Sequence, residues 1–329
     1  MEKKQRLFIL DVLTLIATVL VVMGHHKFLR ESIGWYPVYD KIIYSFHMGF
    51  FMTISGFLVK YTFPENCQWK TYVRKKVKKF VPAYFSVGLI AAIISFQSWT
   101  GFGRDLLMLA ICPGAGPIQI IWYIYVLLMY YCLAPFMFRL STKQRWVLLA
   151  VSIIPAVFYH NIPPYLNLHN FFRLLPFFLL GSQLADHHER IREIADWKIL
   201  LLALPFLVFL CFCIFLQGNP LKGGVGKLIS SVLSLPCMYY IARKLVKCDI
   251  IARLSTKFSP FVYPVYLWQM FFINAIWIIW RKTPWTLNDT TAIIYLVCSV
   301  TFTILGVVLM MKVWRGCLKL IWAKPKRNE

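Results

Sequence analysis

Long apolar runs separated by short polar stretches recur along the whole chain of 329 residues, and their length is the first clue to its fold. A helix that crosses a bilayer needs about 20 mainly apolar residues. Ten segments meet or nearly meet this: 7–26, 42–62, 78–98, 119–138, 146–159, 171–185, 198–216, 224–242, 258–280 and 291–314. The pattern predicts an all-α, polytopic integral membrane protein with about ten transmembrane helices, the fifth and sixth being the shortest. The stretch RDLLMLAICPGAG at 104–116 is too short to span and ends in Pro-Gly turn chemistry, so it reads as an interfacial or re-entrant piece. Lys3, Lys4 and Arg6 before an apolar run resemble the start of a signal peptide, but no small-residue cleavage site follows, and 7–26 is read as a retained first span. With no internal repeat and no Gly/Ser linker, residues 1–329 read as a single membrane-embedded domain without a separate soluble one.

Composition agrees with the pattern. Hydrophobic residues make up 59% of the chain and charged ones 15%, with a mean hydropathy of +0.64, so water is not the main solvent. The net charge of +23 would suggest a nucleic-acid partner on a soluble protein. Here the basic residues lie in clusters between apolar runs, which points to anionic lipid instead. Counting loops tests the topology. The N-terminus, loops 63–77, 139–145, 186–197 and 243–257, their flanks and the tail carry 25 of the 36 Lys and Arg; the opposite loops carry 8, and Lys60, Arg173 and Lys312 fall within spans. This asymmetry predicts both termini in the cytoplasm. Nine cysteines without CxxC spacing read as small hydrophobes, and no metal site is expected.

Polar groups within a bilayer are costly and therefore candidates for function. They are Asp11, His25 and His26 on the first span, His47 and Ser55 on the second, Trp122 and Tyr123 opening the fourth, Arg173 in the sixth, and Tyr266 with Gln269 in the ninth. His25 suits a general base, since a neutral imidazole can take a proton from an attacking hydroxyl and return it to a leaving group. Asp11 is 14 residues away, about 21 Å along a helix, too far to orient it. The plainer alternative is that His25 and His26 cap the helix at the interface. His47 is a second proton carrier or a satisfied core histidine. Arg173 offers a planar donor fork for phosphate, or snorkels to the near interface. Gly49, Ser55 and Gly56 in FHMGFFMTISGFLV permit close helix approach. The cluster Arg74, Lys75, Lys76, Lys78 and Lys79 attracts inner-leaflet lipid, and would equally draw a polyanion such as a coenzyme A nucleotide.

In order, these pieces resemble the membrane-bound acyltransferase family 3, integral-membrane O-acyltransferases of surface polysaccharides and related acceptors. Arg6 and the LDVL around Asp11, followed by VLVVMGHH, are similar to the family's opening Arg, Leu-Asp pair and helix ending in His. FHMGFFMTISGFL resembles its second-helix signature, and RKKVKKFVPAYF, IWYIYVLL, FRLLPFFLLGSQLA and FSPFVYPVYLWQMFF continue the match over almost the whole chain. The resemblance implies His25 as the catalytic histidine, Arg173 as a contact for the acyl donor or for structure, and Tyr266 as an active-site or packing residue. His26, His47, Ser55, Trp122 and Gln269 are further candidates for support. Two positions depart from the family: Thr14 stands where many members have Arg, and Gln269 where many have His.

The implied reaction is transfer of an acyl group, most often acetyl, from acyl-CoA to a hydroxyl of a glycan or lipid-linked sugar at the cell membrane. Acyl-CoA is then a co-substrate, with no permanently bound cofactor. A glycan or small-molecule exporter is the competing expectation, since buried polar groups among ten helices suit transport too.

Overall fold

The computed structural model describes residues 7–64, 68–216 and 223–321, and within them the chain is helical with no strand. The helices are α1 (Phe8–Met23), α2 (Tyr36–Tyr61), α3 (Trp69–Ile94), α4 (Trp99–Ile111), α5 (Trp122–Met137), α6 (Thr142–Val157), α7 (Leu168–Asp186), α8 (His188–Glu193), α9 (Asp196–Phe215), α10 (Gly223–Leu245), α11 (Asp249–Phe258), α12 (Val262–Trp280) and α13 (Asp289–Ile321). Each of the ten apolar segments holds one of these helices. Among the described residues seven helices are long and apolar enough to cross a membrane, that containing α12 being counted from Asp249, and α1 is a shorter apolar helix.

Three departures from the apolar pattern have physical causes. The first helix stops at Met23, where the Gly24 N–H donates to the Leu20 carbonyl and the His25 N–H to that of Val22. α2 begins six residues before the apolar run, where Pro37 fits the first turn of a helix. α11 lies in what reads as a loop, since an amphipathic helix of ten residues gives no long apolar run. The 104–116 stretch forms most of the short helix α4 and the turns after it.

Ion pairs and hydrogen bonds define one end of the bundle, here the lower end. Asp186, at the end of α7, meets Arg145 of α6 at 2.6 Å and Lys60, at the end of α2, at 3.6 Å. Asp196, opening α9, pairs with Arg243 and Lys244 at the end of α10 at 3.0 and 2.7 Å. Thr256 of α11 donates to Asp11 near the start of α1 at 3.3 Å. These contacts require consecutive spans to alternate in direction. Ser141 and Gln144 form a reciprocal capping box that starts α6 at this end.

Side chains are distributed as a bilayer demands. Leu201, Leu202 and Phe215 of α9 and Ile293, Val297, Phe302 and Leu309 of α13 are exposed, while Ser230, Ser231, Ser234, His47, Gln269 and Ser299 are buried. The most extensive helix contact joins α2 to α7. Gly56 and Gly181 are its closest points: a Cβ on Gly56 would lie 2.1 Å from the Phe178 carbonyl oxygen, and one on Gly181 would lie 2.0 Å from that of Thr53. The expectation of close approach at Gly56 is met by its partner helix, α7.

Gly181→Ala therefore forces two backbones apart, at a cost of about 1–3 kcal/mol. The melting temperature in detergent should fall for Gly181→Ala and Gly56→Ala. It should stay unchanged for Gly34→Ala, whose added Cβ meets nothing within 4 Å.

Candidate active site

Because α1 ends at Gly24, His25 sits one residue past the helix at the upper end of the bundle. Its Nδ1 donates to the Val21 carbonyl at 2.6 Å. A carbonyl can only accept, so in the neutral ring Nδ1 carries the proton and Nε2 keeps its lone pair. His47 repeats the arrangement on α2: Nδ1 donates to the Ile43 carbonyl at 2.6 Å, and Nε2 is buried without a hydrogen-bond partner. Tyr44 lies between them, its ring 4.9 Å from that of His47 and 6.4 Å from that of His25.

The start of α7 builds the facing wall. Leu166 and Asn167 adopt left-handed backbone, with φ of 52° and 58°. The Asn167 side-chain amide donates to the Trp122 carbonyl at 2.8 Å and its oxygen accepts from Asn170 at 2.8 Å, which ties the start of α7 to the start of α5. This sets Arg173 with its guanidinium 5.2 Å from the ring centres of both Trp122 and Tyr159. Lys227 of α10 donates to the Tyr159 hydroxyl at 2.7 Å. In the adjoining loop, partial burial and the charges of Lys227 and Arg173 hold the His160 pKa below its ordinary value.

His25, His47, Trp122, Arg173 and Tyr266 line one cavity of about 820 Å³. Gly49 and Ser231 also line it, so it reaches from the upper end to the middle of α2. A Cβ on Gly49 would meet the Ser231 hydroxyl at 2.3 Å, so the glycine also lets α10 approach α2 there. The Tyr266 hydroxyl donates to the Ile120 carbonyl and pins the loop that closes one side. Lys27, Arg173 and Lys227 line the cavity, and among the described residues no Asp or Glu does.

A neutral imidazole with its Nε2 lone pair free, beside aromatic rings and cations, suits proton abstraction from a hydroxyl and charge stabilisation at an oxyanion. Residues 7–312 match the sequence profile of the acyltransferase domain. The chain belongs to the membrane-bound acyltransferase family 3. It is similar to the nodulation protein NolL of Sinorhizobium fredii (strain NBRC 101917 / NGR234), at 28% identity over 181 residues. That stretch covers 53% of this chain and 47% of the relative, so the match spans about half the length of the curated protein. No solved structure matches. The chain is thus a multi-pass membrane member of that family.

The remaining candidates lie elsewhere in the fold. His26 turns to α13, with Nε2 2.8 Å from the Ser299 hydroxyl. Ser55 shares a 2.8 Å hydrogen bond with the Tyr123 hydroxyl, outside the cavity lining. Gln269 is buried, its amide donating to the Tyr266 carbonyl at 3.2 Å. Thr14, at the family's Arg position, donates to the Leu10 carbonyl at 2.5 Å, and Arg6 lies outside the described residues. Arg74, Lys75, Lys76, Lys78 and Lys79 occupy the first half of α3, with the Lys76 ammonium 4.1 Å from the Tyr131 ring centre.

Sequence reasoning missed Lys227, His169 and Tyr44, all of which line the cavity. Lys227 reads as a flank of the eighth span, and only its contact with Tyr159, 68 residues away, brings it to the site.

Asn167→Ala removes both hydrogen bonds and keeps a left-handed backbone without Asn. A loss of about 1–3 kcal/mol is expected. Asn167→Gly should recover only the backbone part, and detergent melting curves of the two variants separate the contributions.

Proposed function

We propose that this acyltransferase is an O-acetyltransferase of the plasma membrane, moving an acetyl group from acetyl-CoA to a hydroxyl of a glycan or lipid-linked sugar. The observation that carries the proposal is the Nδ1 hydrogen bond of His25, which leaves Nε2 as a proton acceptor at the cavity wall. In the reaction, Nε2 takes the acceptor's hydroxyl proton as that oxygen attacks the thioester carbonyl carbon. The carbon–oxygen bond forms, the carbon–sulfur bond breaks, and the imidazolium returns the proton to the departing thiolate. Trp122 and Tyr266 keep water from the thioester.

The charge asymmetry of the loops supports a cytoplasmic lower end and an outward-facing His25 end. Acetyl-CoA then approaches at the lower end, where Arg74, Lys75, Lys76, Lys78 and Lys79 would attract its nucleotide. The glycan meets the acetyl group in the cavity.

His25→Ala should lower acetyl transfer to surface glycan about 10²–10⁴-fold at equal protein level in the membrane. His26→Ala, whose ring faces α13, should retain transfer. The measurement is incorporation of labelled acetyl from acetyl-CoA into glycan. Unchanged incorporation in His25→Ala removes the general base. Glycan trapped inside the cell with acetylation intact would favour export.

A further inference from the structure

The cavity holds more positive charge than proton transfer needs. Arg173 and Lys227 converge on Tyr159, one over the ring face and the other on the hydroxyl, and Lys27 stands on the same lining with its ammonium 5.6 Å from the Tyr44 ring centre. Two half-buried cations beside one phenol repel each other, and low-dielectric surroundings strengthen that repulsion. Elsewhere the fold neutralises such groups: Arg145 and Lys60 meet Asp186, Arg243 and Lys244 meet Asp196, and Arg30 meets Asp40. Among the described residues, neither Arg173 nor Lys227 has a carboxylate within ion-pair distance. A bound anion would supply the missing counter-charge.

The donor's nucleotide does not fit that place. The basic cluster of α3 lies at the opposite end of the bundle, and Lys79 is 12 residues, about 18 Å, from Ala91, where α3 reaches the cavity. Phosphates held at the cluster cannot also touch Arg173. The groups around Arg173 are instead those of an oxyanion site: a planar guanidinium 5.2 Å from the ring centres of Trp122 and Tyr159, an ammonium on the Tyr159 hydroxyl, and Asn170 and His169 one turn before Arg173.

Resting on the acyltransferase reading, we infer that the acceptor is anionic, and that Arg173 and Lys227 bind its phosphate or carboxylate while a hydroxyl of the same molecule faces His25. Both residues then act on binding of the acceptor. Their loss should raise the KM for acceptor without changing that for acetyl-CoA.

The test uses the full chain in nanodiscs of neutral lipid, with inorganic phosphate and glucuronate as separate probes against sodium chloride of equal ionic strength. A saturable rise in melting temperature is expected with one or both probes, and it should disappear in Arg173→Gln and Lys227→Gln. Lys227→Arg should keep it. The probe that acts identifies phosphate or carboxylate as the recognised group. Absence of a saturable rise with either probe, or a rise untouched by the two Gln variants, would overturn the inference, and neither readout requires catalysis. In a second arm, glycan from cells lacking the protein is separated by anion exchange into neutral and acidic fractions and offered with labelled acetyl-CoA. Labelling of the acidic fraction supports an anionic acceptor. His25-dependent labelling of the neutral fraction alone would refute it while leaving acyl transfer intact, whereas no labelling of either fraction, with anion binding preserved, would count against the acetyltransferase reading instead.

Discussion

A backbone-to-backbone contact between α2 and α7 organises the rest of this molecule. Gly56 faces the Phe178 carbonyl and Gly181 faces that of Thr53, at distances that leave no room for a methyl group. In a bilayer no hydrophobic effect drives helices together, so tight packing of small residues has to do it. Both helices begin at the upper end, and once they are in register His47 on α2 and Arg173 on α7 line the same cavity. α10 extends the arrangement at Gly49, bringing Lys227 and Ser231 to that wall.

Polarity is then sorted by height. At the lower end, acidic residues pair with the basic residues around them: Asp186 with Arg145 and Lys60, and Asp196 with Arg243 and Lys244. At the upper end the cations of the cavity have no acidic neighbour on its lining, and two histidines each commit Nδ1 to a backbone carbonyl. The contrast separates charges that hold helices in place from charges and imidazoles that line a cavity. His25 and His26, adjacent in the chain, fall on different sides of it. The turn after Gly24 aims one ring into the cavity and the other at Ser299.

Much of this was legible in the residues. Ten apolar runs each hold a helix, Gly56 meets the close approach expected of it, and five of the candidate polar residues line one cavity. What was not legible has a common cause. A span is recognised by average apolarity, which carries no information about rotation, so Ser55, His26 and Gln269 could be placed at a depth but not on a face. Lys227 and Tyr159 meet only through the tertiary fold, and the left-handed pair Leu166 and Asn167 has no strong local signature, since Leu is rarely found there. The amphipathic helix α11 escaped because its ten residues fall far short of a span.

The proposed reaction is divided across the bilayer, with the acyl donor at the basic lower end and the acceptor in the His25 cavity. Sealed vesicles of opposite orientation, prepared from cells carrying the protein, test it directly when labelled acetyl-CoA is added only to the outside. Inside-out vesicles should label glycan in their lumen, protected from added glycosidase, while right-side-out vesicles should remain unlabelled until they are permeabilised. Labelling of intact right-side-out vesicles by external acetyl-CoA would contradict the division and place donor and acceptor on the same side.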